Sequence, residues 1–441
     1  MKALRTPRVN GSICSACRYR LSHPQRGIAS SARSSPEIYD VVAVGGGPVG
    51  LALIAALKSS PRTRHLKTAL IESQPLSKLL GWDPRADEYS NRASSLTPAS
   101  VSFLDAIGAW KHVEQSRVQP YNEMQVWDGS NGSKMRFDWS SDTKKNNSDS
   151  ALRTVATMTE NANLSKGLSS RVIEAEEIES LGGQHSGRGS LMFSSTVSSI
   201  ENGLDDPQGL NLSSWPIVCV SSAERKAPTS MAARLLVGAD GANSPVRAFA
   251  GIPSNGWDYS RHGVVATVNL DSQPGNDMDS LFTSDPPRTT AYQRFLPALG
   301  GPIALLPLPK GKASLVWSTT ASNATYLKSL PLDTFTTMVN AAFRLSMTDL
   351  AYMFSLPTST DASIPAKHST NNKKSYTHAQ ELTWRLSHTP LPPHLPARYL
   401  DPSRQHRLLP LRFRQSSTYT APRIALIGDA ATPSTLSPAK G

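Results

Sequence analysis

The chain is expected to fold as α/β: a Rossmann-like nucleotide-binding domain with an inserted antiparallel-sheet domain. Three observations predict this. A β-branched apolar run leads into Gly45-Gly46-Gly47-Pro48-Val49-Gly50, a strong helix former follows, and a second apolar run ends in Glu72. Two apolar runs far along the chain end in Gly238-Ala239-Asp240-Gly241 and Gly428-Asp429-Ala430-Ala431. Between those two, residues 262–318 read as short strands separated by Gly, Pro and Asp turns, the pattern of an antiparallel sheet.

Residues 39–44, Tyr-Asp-Val-Val-Ala-Val, read as a buried parallel strand. Residues 51–57, Leu-Ala-Leu-Ile-Ala-Ala-Leu, read as a helix, and 68–71, Thr-Ala-Leu-Ile, as the next strand. Strand, glycine turn, helix, strand and acid is the order of a dinucleotide site. Gly45 permits the tight turn, Gly47 lets a phosphate approach the backbone, and Gly50 lets the helix pack close to the strand. Free N–H groups at the helix start face the pyrophosphate, and Glu72 holds a ribose hydroxyl. The motif alone leaves FAD and NAD open.

Composition narrows the function classes. The chain has 441 residues and a formal net charge of +12, enough length for two or three domains. Lys2, Arg5, Arg8, Arg18, Arg20, Arg26 and Arg33 all precede the first acid, Glu37, so the rest is only mildly basic. That argues against nucleic acid as a partner and permits contact with an anionic membrane. Residues 1–35, rich in Arg and Ser and free of acids, read as a mitochondrial transit peptide, with a disordered basic tail as the alternative. Cys14 and Cys17 lack the second pair a zinc site needs, and no disulfide framework is expected. No apolar stretch reaches the roughly 18 residues of a spanning helix.

The remaining elements follow in order. Residues 81–85 are a loop. Arg92 lies in a polar loop after the nucleotide unit, where a cation either clamps a cofactor phosphate or sits solvated. A helix is expected over 99–107 with Gly108 closing it, strands over 124–129 and 134–139, a polar loop over 142–149, and a helix from about 160. Short strands cover 182–208, and another strand 215–220. The run 235–247 reads as a buried strand, the Gly-Ala-Asp-Gly turn and a helix beginning at Ser244-Pro245. Asp240 then sits at the strand end, the edge from which open α/β sheets bind ligands. Strands are expected at 264–270, 290–296, 303–308 and 314–318, and a helix at 338–345. Residues 359–405, rich in Ser, Thr, Pro, Lys and His, read as a partly disordered insertion. Its histidines, His368, His378, His388, His394 and His406, lack ligand spacing and are expected to be solvated rather than metal-bound. The run 423–431 is another buried strand, ending in Gly428-Asp429, where an Asp can accept a hydrogen bond from a cofactor hydroxyl.

Three clusters in this order resemble the aromatic-ring flavoprotein monooxygenases of the para-hydroxybenzoate hydroxylase-like fold. Residues 89–98 (Tyr-Ser-Asn-Arg-Ala-Ser-Ser-Leu-Thr-Pro), 107–110, 124–129 and 291–297 (Ala-Tyr-Gln-Arg-Phe-Leu-Pro) narrow the match, as do 301–309 and 314–318. They are similar to the mitochondrial ubiquinone-biosynthesis hydroxylases, over most of 38–431. The resemblance implies FAD as cofactor and O₂ as co-substrate. It implies ring hydroxylation of a polyprenylated 4-hydroxybenzoate-type intermediate, ortho to the phenol. It also implies a ferredoxin and its reductase as electron donor, other subunits of a biosynthetic complex as partners, and peripheral residence on the matrix side of the inner membrane. Carried over, Gly45, Gly47, Gly50 and Glu72 hold the ADP half of FAD, Arg92 clamps near the pyrophosphate, Asp240 belongs to a cofactor-touching motif, and Gly428-Asp429 binds the ribityl chain. The strands around 292–295 and 303–308 form the roof over the flavin. No residue is nominated as a general base.

The implied domain plan is a transit peptide (1–35), the FAD-binding domain in parts (36–120, 226–260 and 409–441), insertions and substrate domain (121–225), an antiparallel substrate domain (261–355) and a low-complexity insertion (356–408). One departure stands out. In the family, Gly-Asp-Ala-Ala continues with His, then Pro and Gly-Gln-Gly at the start of a long helix, whereas here Ala431 is followed by Thr432 and a tail containing Pro433 and Pro438. That tail opposes a helix. The expectation is a truncated chain with weakened FAD binding; the alternatives are a functional divergent form, a non-catalytic scaffold subunit of the same complex, or an FAD aromatic hydroxylase of another pathway.

Overall fold

The computed structural model describes residues 36–85, 88–138, 154–181, 189–205, 209–222, 228–270, 289–357, 377–390, 399–402 and 407–432. The expected transit peptide, the whole polar loop 142–149 and the tail after Thr432 lie outside the described residues, as do Cys14, Cys17, His368, His394 and His406.

The expected βαβ unit is β1 (Glu37–Val44), α1 (Pro48–Ser59) and β2 (Thr68–Ile71). A short helix, α2 (Leu76–Leu80), and a loop lead to β3 (Ala93–Leu96) and α3 (Pro98–Ala106). Next come β4 (Val118–Tyr121), β5 (Glu123–Asp128), β6 (Lys134–Asp138) and β7 (Ala156–Glu160), then the long helix α4 (Asn161–Leu181). β8 (Ser190–Met192), β9 (Ser195–Asn202), β10 (Pro216–Ser222) and β11 (Thr229–Gly238) precede α5 (Pro245–Phe249). β12 (Ser254–Leu270), β13 (Thr290–Leu296), β14 (Gly301–Leu308) and β15 (Lys312–Thr320) are followed by α6 (Ala321–Ser329), α7 (Leu332–Arg344), α8 (Met347–Ser355) and α9 (His378–Ser387). β16 (Tyr399–Pro402), β17 (Arg407–Ser416), β18 (Thr420–Ala421) and β19 (Ile424–Leu426) complete the described elements.

The first sheet runs β18-β19-β11-β1-β2-β8. From β19 to β8 it is parallel, as the near-continuous apolar runs require for strands covered on both faces. Neighbouring residues on β1 point into separate cores. Val42 joins Met231, Leu236 and Ile424, while Ala43 joins Leu51, Ile54, Leu164 and Leu168 beneath α1 and α4. The start of β11 also pairs antiparallel with β10, which pairs with β9.

The second sheet runs β16-β12-β15-β14-β13-β5-β6, with β17 also on β12. It is antiparallel except for one parallel pair, β5 with β13, because β5 arrives from the nucleotide domain rather than from a hairpin. One face carries Val264, Trp317, Ile303, Trp127 and the buried stem of Arg294. It packs on α6–α9 in the largest core of the protein. Between the domains lies a three-stranded sheet, β3-β7-β4.

Two strands cross from one domain to the other, and both are long. β12 spans the expected 260/261 boundary, and β17 begins at Arg407, just before the expected 408/409 boundary. They pair antiparallel from Ser254↔Ser416 to Val265↔Arg407, with a register shift between Asp258 and Arg261. Ser260 sits at that shift with φ 51°.

The expectation of a partly disordered 359–405 needs correction over α9. Thr377 and Gln380 form a reciprocal capping box, and Leu382 is fully buried in the core of the second domain. His378, expected to be solvated, is buried beside Tyr326. The local composition is polar, but a helix needs only a cap and one apolar stripe to dock.

Candidate functional site

The ends of three parallel strands converge at one edge of the first sheet. β1 ends in the glycine turn, β11 in Ala239-Asp240 and β19 in Gly428-Asp429. Backbone bonds lace them together: Gly45 N–H to Ile71 O (2.9 Å), Ala239 N–H to Val44 O (2.8 Å), and Ile427 N–H to Gly238 O (2.9 Å). Arg247 clips two loops at once, donating from Nη1 to Ala430 O (2.8 Å) and from Nη2 to Ala242 O (2.6 Å). Its signal in the sequence is a cation three residues after the helix-capping Ser244, whose Oγ accepts from Arg247 N–H.

The glycines are enforced by sterics. Gly45 has φ +105°, and a Cβ there would lie 2.3 Å from Ala239 O. A Cβ on Gly50 would lie 1.9 Å from Gly45 O, so α1 can approach β1 only without one. A Cβ at Gly47 would meet nothing within 4 Å, so the start of α1 opens onto free space. Gly428 has φ +58°, and its Cβ position lies 3.1 Å from Val49, which seats the last loop on the first turn of α1.

Two carboxylates line this edge. Glu72 is buried; Oε2 accepts from Gly46 N–H at 2.6 Å, and Oε1 accepts from Gln74 N–H at 2.7 Å. Oε1 also accepts from Ser73 Oγ at 3.2 Å, so Oε2 is the oxygen that retains a lone pair for a further donor. Asp240 accepts from Val246 N–H at 3.2 Å through Oδ2, whereas its Oδ1 is buried with no partner. Burial pushes the Asp240 carboxyl up, against the hydrogen bonds from Ser244 and Val246. Asp429 is exposed on the 3₁₀ turn Gly428–Ala430. Arg92 is exposed beside β3; its carbonyl accepts from Asn161 N–H at 3.0 Å.

These features fit a dinucleotide: an orphaned acceptor, a cradle that any Cβ would fill, and an open helix start. The orphan and the empty cradle are the kind of unfilled partners a bound group completes. A cavity of about 360 Å³ lies beyond Glu72, lined by Pro75, Leu76, Met192, Ser194 and Thr229 among others.

The other face of the second sheet turns away from α6–α9, toward the three-stranded sheet and the loop of Asn91. Alternation sets its rows. One row is Val126, Gln293, Ala304, Val316 and Val265, ending at Arg407. The adjoining positions include Asp128, Phe295, Gly263 and Leu409. Phe295 and Leu409 are exposed large hydrophobics. The next row, with Ala291 and Leu306, rests on Tyr89, Tyr121 and Met158. Thr267 on this face donates to Asn91 Oδ1 at 3.1 Å. The sheet therefore sits on the loop that carries Arg92. Of the roof run 292–295, only Gln293 and Phe295 lie on this face. Arg294 points away and donates to Ala342 O and Leu345 O at the end of α7.

Comparison with known proteins agrees with this architecture. The family model described as an FAD binding domain matches residues 38–326. The mitochondrial ubiquinone biosynthesis monooxygenase COQ6 of Schizosaccharomyces pombe is 34% identical over 89% of this chain and 71% of its own length. The Saccharomyces cerevisiae protein is 33% identical over 92% and 76%, and the human one 31% over 91% and 73%. The fold is similar to that of P. aeruginosa PqsL, with TM-score 0.54 at 16% identity over 90% of this chain and 80% of that one. It is also similar to p-nitrophenol 4-monooxygenase PnpA from Pseudomonas putida, with TM-score 0.50 at 18% identity over 90% and 74%. The chain belongs to the COQ6 family of ubiquinone biosynthesis monooxygenases, FAD-dependent enzymes that hydroxylate aromatic rings.

Proposed function

We propose that this chain hydroxylates the ring of a polyprenylated 4-hydroxybenzoate-type intermediate, ortho to its phenol, in ubiquinone biosynthesis. The observation that carries the reading is a glycine cradle of dinucleotide type in one chain with a largely apolar sheet face that meets the loop carrying Arg92. The two rows of that face carry ionisable side chains only at their ends, Asp128 and Arg407. FAD supplies the activation of O₂. Gly45, Gly47 and Gly50 hold its pyrophosphate at the start of α1, with Arg92 clamping from the side. Glu72 takes a ribose hydroxyl, Asp240 Oδ1 gains the donor it lacks, and Gly428-Asp429 meets the ribityl chain.

The chain's own residues then bind, orient and dry. Val126, Ala304, Val316 and Val265 offer a flat surface to an aromatic ring, and Phe295 and Leu409 extend it for an isoprenoid tail. Such a surface excludes water, which oxygen-transferring flavin chemistry requires. The face offers no acid–base pair, and none is assigned.

The same resemblance supports a ferredoxin and its reductase as electron donor and other biosynthetic subunits as partners. It also supports a peripheral site on the matrix side of the inner membrane. The relatives are named mitochondrial, residues 1–35 have transit-peptide composition, and among the described residues no helix is long and apolar enough to cross a membrane.

The test is to purify the chain, add FAD and record the visible spectrum. A chemically reduced sample is then exposed to O₂ with a short-prenyl 4-hydroxybenzoate. A bound-flavin spectrum and a product heavier by one oxygen are expected. A colourless protein that ignores FAD would sink the enzyme reading and favour the scaffold.

A further inference from the structure

Among its described residues the loop that carries Arg92 has no strand partner between residue 81 and β3, yet one buried ion pair holds it at residues 88, 89 and 90. Arg117 and Glu160 are 4% and 1% exposed. Arg117 Nε and Nη2 both donate to Glu160 Oε2, the former at 2.9 Å. Nη2 also donates to Glu88 O at 2.6 Å. The guanidinium lies over the Tyr89 ring, 3.7 Å from its centroid. The other oxygen of Glu160 accepts from Ser90 N–H. One residue on, Asn161 donates its N–H to Arg92 O, and its Oδ1 accepts from Ser94 Oγ at 2.6 Å. Residues 88, 89, 90, 92 and 94 are thus gripped from two positions, the approach to β4 and the junction of β7 with α4.

A buried ion pair is a poor device for stability, because desolvating both charges offsets most of their attraction. Its usefulness is geometric: a planar fork and a carboxylate together fix backbone carbonyls and N–H groups in one arrangement. Arg92 is exposed and long, so where its guanidinium reaches is set by the backbone from which it springs.

We propose that Arg117 and Glu160 are positioning residues for FAD binding, acting through the backbone of residues 88–92 to aim Arg92 at the cofactor. This rests on the reading of Arg92 as a phosphate clamp. Neither residue is assigned contact with FAD or substrate.

The experiment is a double-mutant cycle on the full chain, read as FAD dissociation constants from flavin fluorescence quenching, with the melting temperature of the FAD-free protein as a folding control. The variants are Arg92→Ala, Glu160→Gln and both together. Arg92→Ala and Glu160→Gln are each expected to weaken FAD binding about tenfold, and the double variant no more than the worse single, since both act through one contact. Arg117→Lys, which keeps the charge but loses the planar fork, is expected to match Glu160→Gln. It serves as the second arm where Glu160→Gln fails to fold. Full additivity in the double variant, or unchanged affinity in Glu160→Gln and Arg117→Lys, overturns the positioning role while leaving the clamp intact. Unchanged affinity in Arg92→Ala overturns the clamp and the positioning role together.

Discussion

Asp240 carries an acceptor, Oδ1, with no partner among the described residues, and its carboxyl is pushed up by burial. A carboxylate whose folded pKa is raised binds its proton more readily in the folded state. Its effect favours folding below the ordinary carboxylate range and is lost as pH rises through the raised value. Asp240→Asn is therefore expected to raise the stability of the FAD-free protein near neutral pH by about 1 kcal/mol. The gain should vanish as the wild type protonates on acidification, and FAD affinity should fall at least tenfold. Denaturant melts at several pH values and a flavin titration check both arms. The same stability at every pH would show that the orphan is not costly. Gly45 offers the opposite case: Gly45→Ala places a Cβ 2.3 Å from Ala239 O at φ +105° and is expected to prevent folding rather than merely weaken FAD. At this scale the sequence was most readable where chemistry and backbone geometry coincide, as at Gly45, Glu72 and Asp240. Arg117 and Glu160 were unreadable, because their burial depends on three chain segments meeting, and neither sits in a recognisable motif.

Elements carry their meaning in alternation, which the second sheet makes testable by a shift of one residue. Val316 lies on the face toward the nucleotide domain, and Trp317 is fully buried against α6–α9. Val316→Glu is expected to keep the melting temperature and bind FAD but lose turnover of an apolar phenol, chiefly through KM. Trp317→Ala is expected to cost about 3–5 kcal/mol and to leave little folded protein for assay. If Val316→Glu unfolds the chain instead, the face is core rather than platform. α9 shows what composition conceals. His378 is buried, and its ring nitrogens make no well-formed hydrogen bond. Burial pushes its pKa down, partly offset by the Met353 carbonyl, which Tyr326 Oη already occupies at 2.9 Å. A histidine with a depressed folded pKa contributes stability that is complete above its unfolded pKa of about 6.5 and declines as pH falls below it. Thermal melts between pH 7.5 and 5 should show that decline, and His378→Leu should flatten it. The strands expected at 290–296, 303–308 and 314–318 fall within a few residues of β13, β14 and β15, whereas β12 begins ten residues before the expected 264, and β3, β4, β7 and β17 were not expected. The parallel partner of β13 was not, since nothing local announces that β5 arrives from another domain.

At the scale of the molecule, the cradle proposed for the cofactor is assembled from loops at residues 45–50, 239–241 and 428–429, so it exists only in the folded chain. A ligand that binds only the folded state stabilises it by mass action. Adding FAD to about one hundred times its dissociation constant should raise stability by about 2.7 kcal/mol, visible as a rise in melting temperature that grows with the logarithm of FAD concentration. A concentration-independent melt would mean that the three loops do not close on the cofactor. The two-domain plan was readable because each cofactor loop ends an apolar strand. How the domains meet was not, because Tyr89, Tyr121, Met158 and Leu306 form a shared core from segments far apart in sequence.

The paired crossing strands β12 and β17 tie these scales together. Ser416 N–H donates to Ala431 O and Ser417 N–H to Pro253 O, each at 2.9 Å, so the ribbon is rooted at Ala431, two residues after Asp429, and at Pro253, beyond α5. Its far end is the edge of the apolar platform. Mechanically this is a lever clamped at its fulcrum, with a register shift at Ser260 partway along the arm. A tilt of the platform is transmitted along one continuous ribbon of backbone to Ala431, beside the Gly428-Asp429 turn.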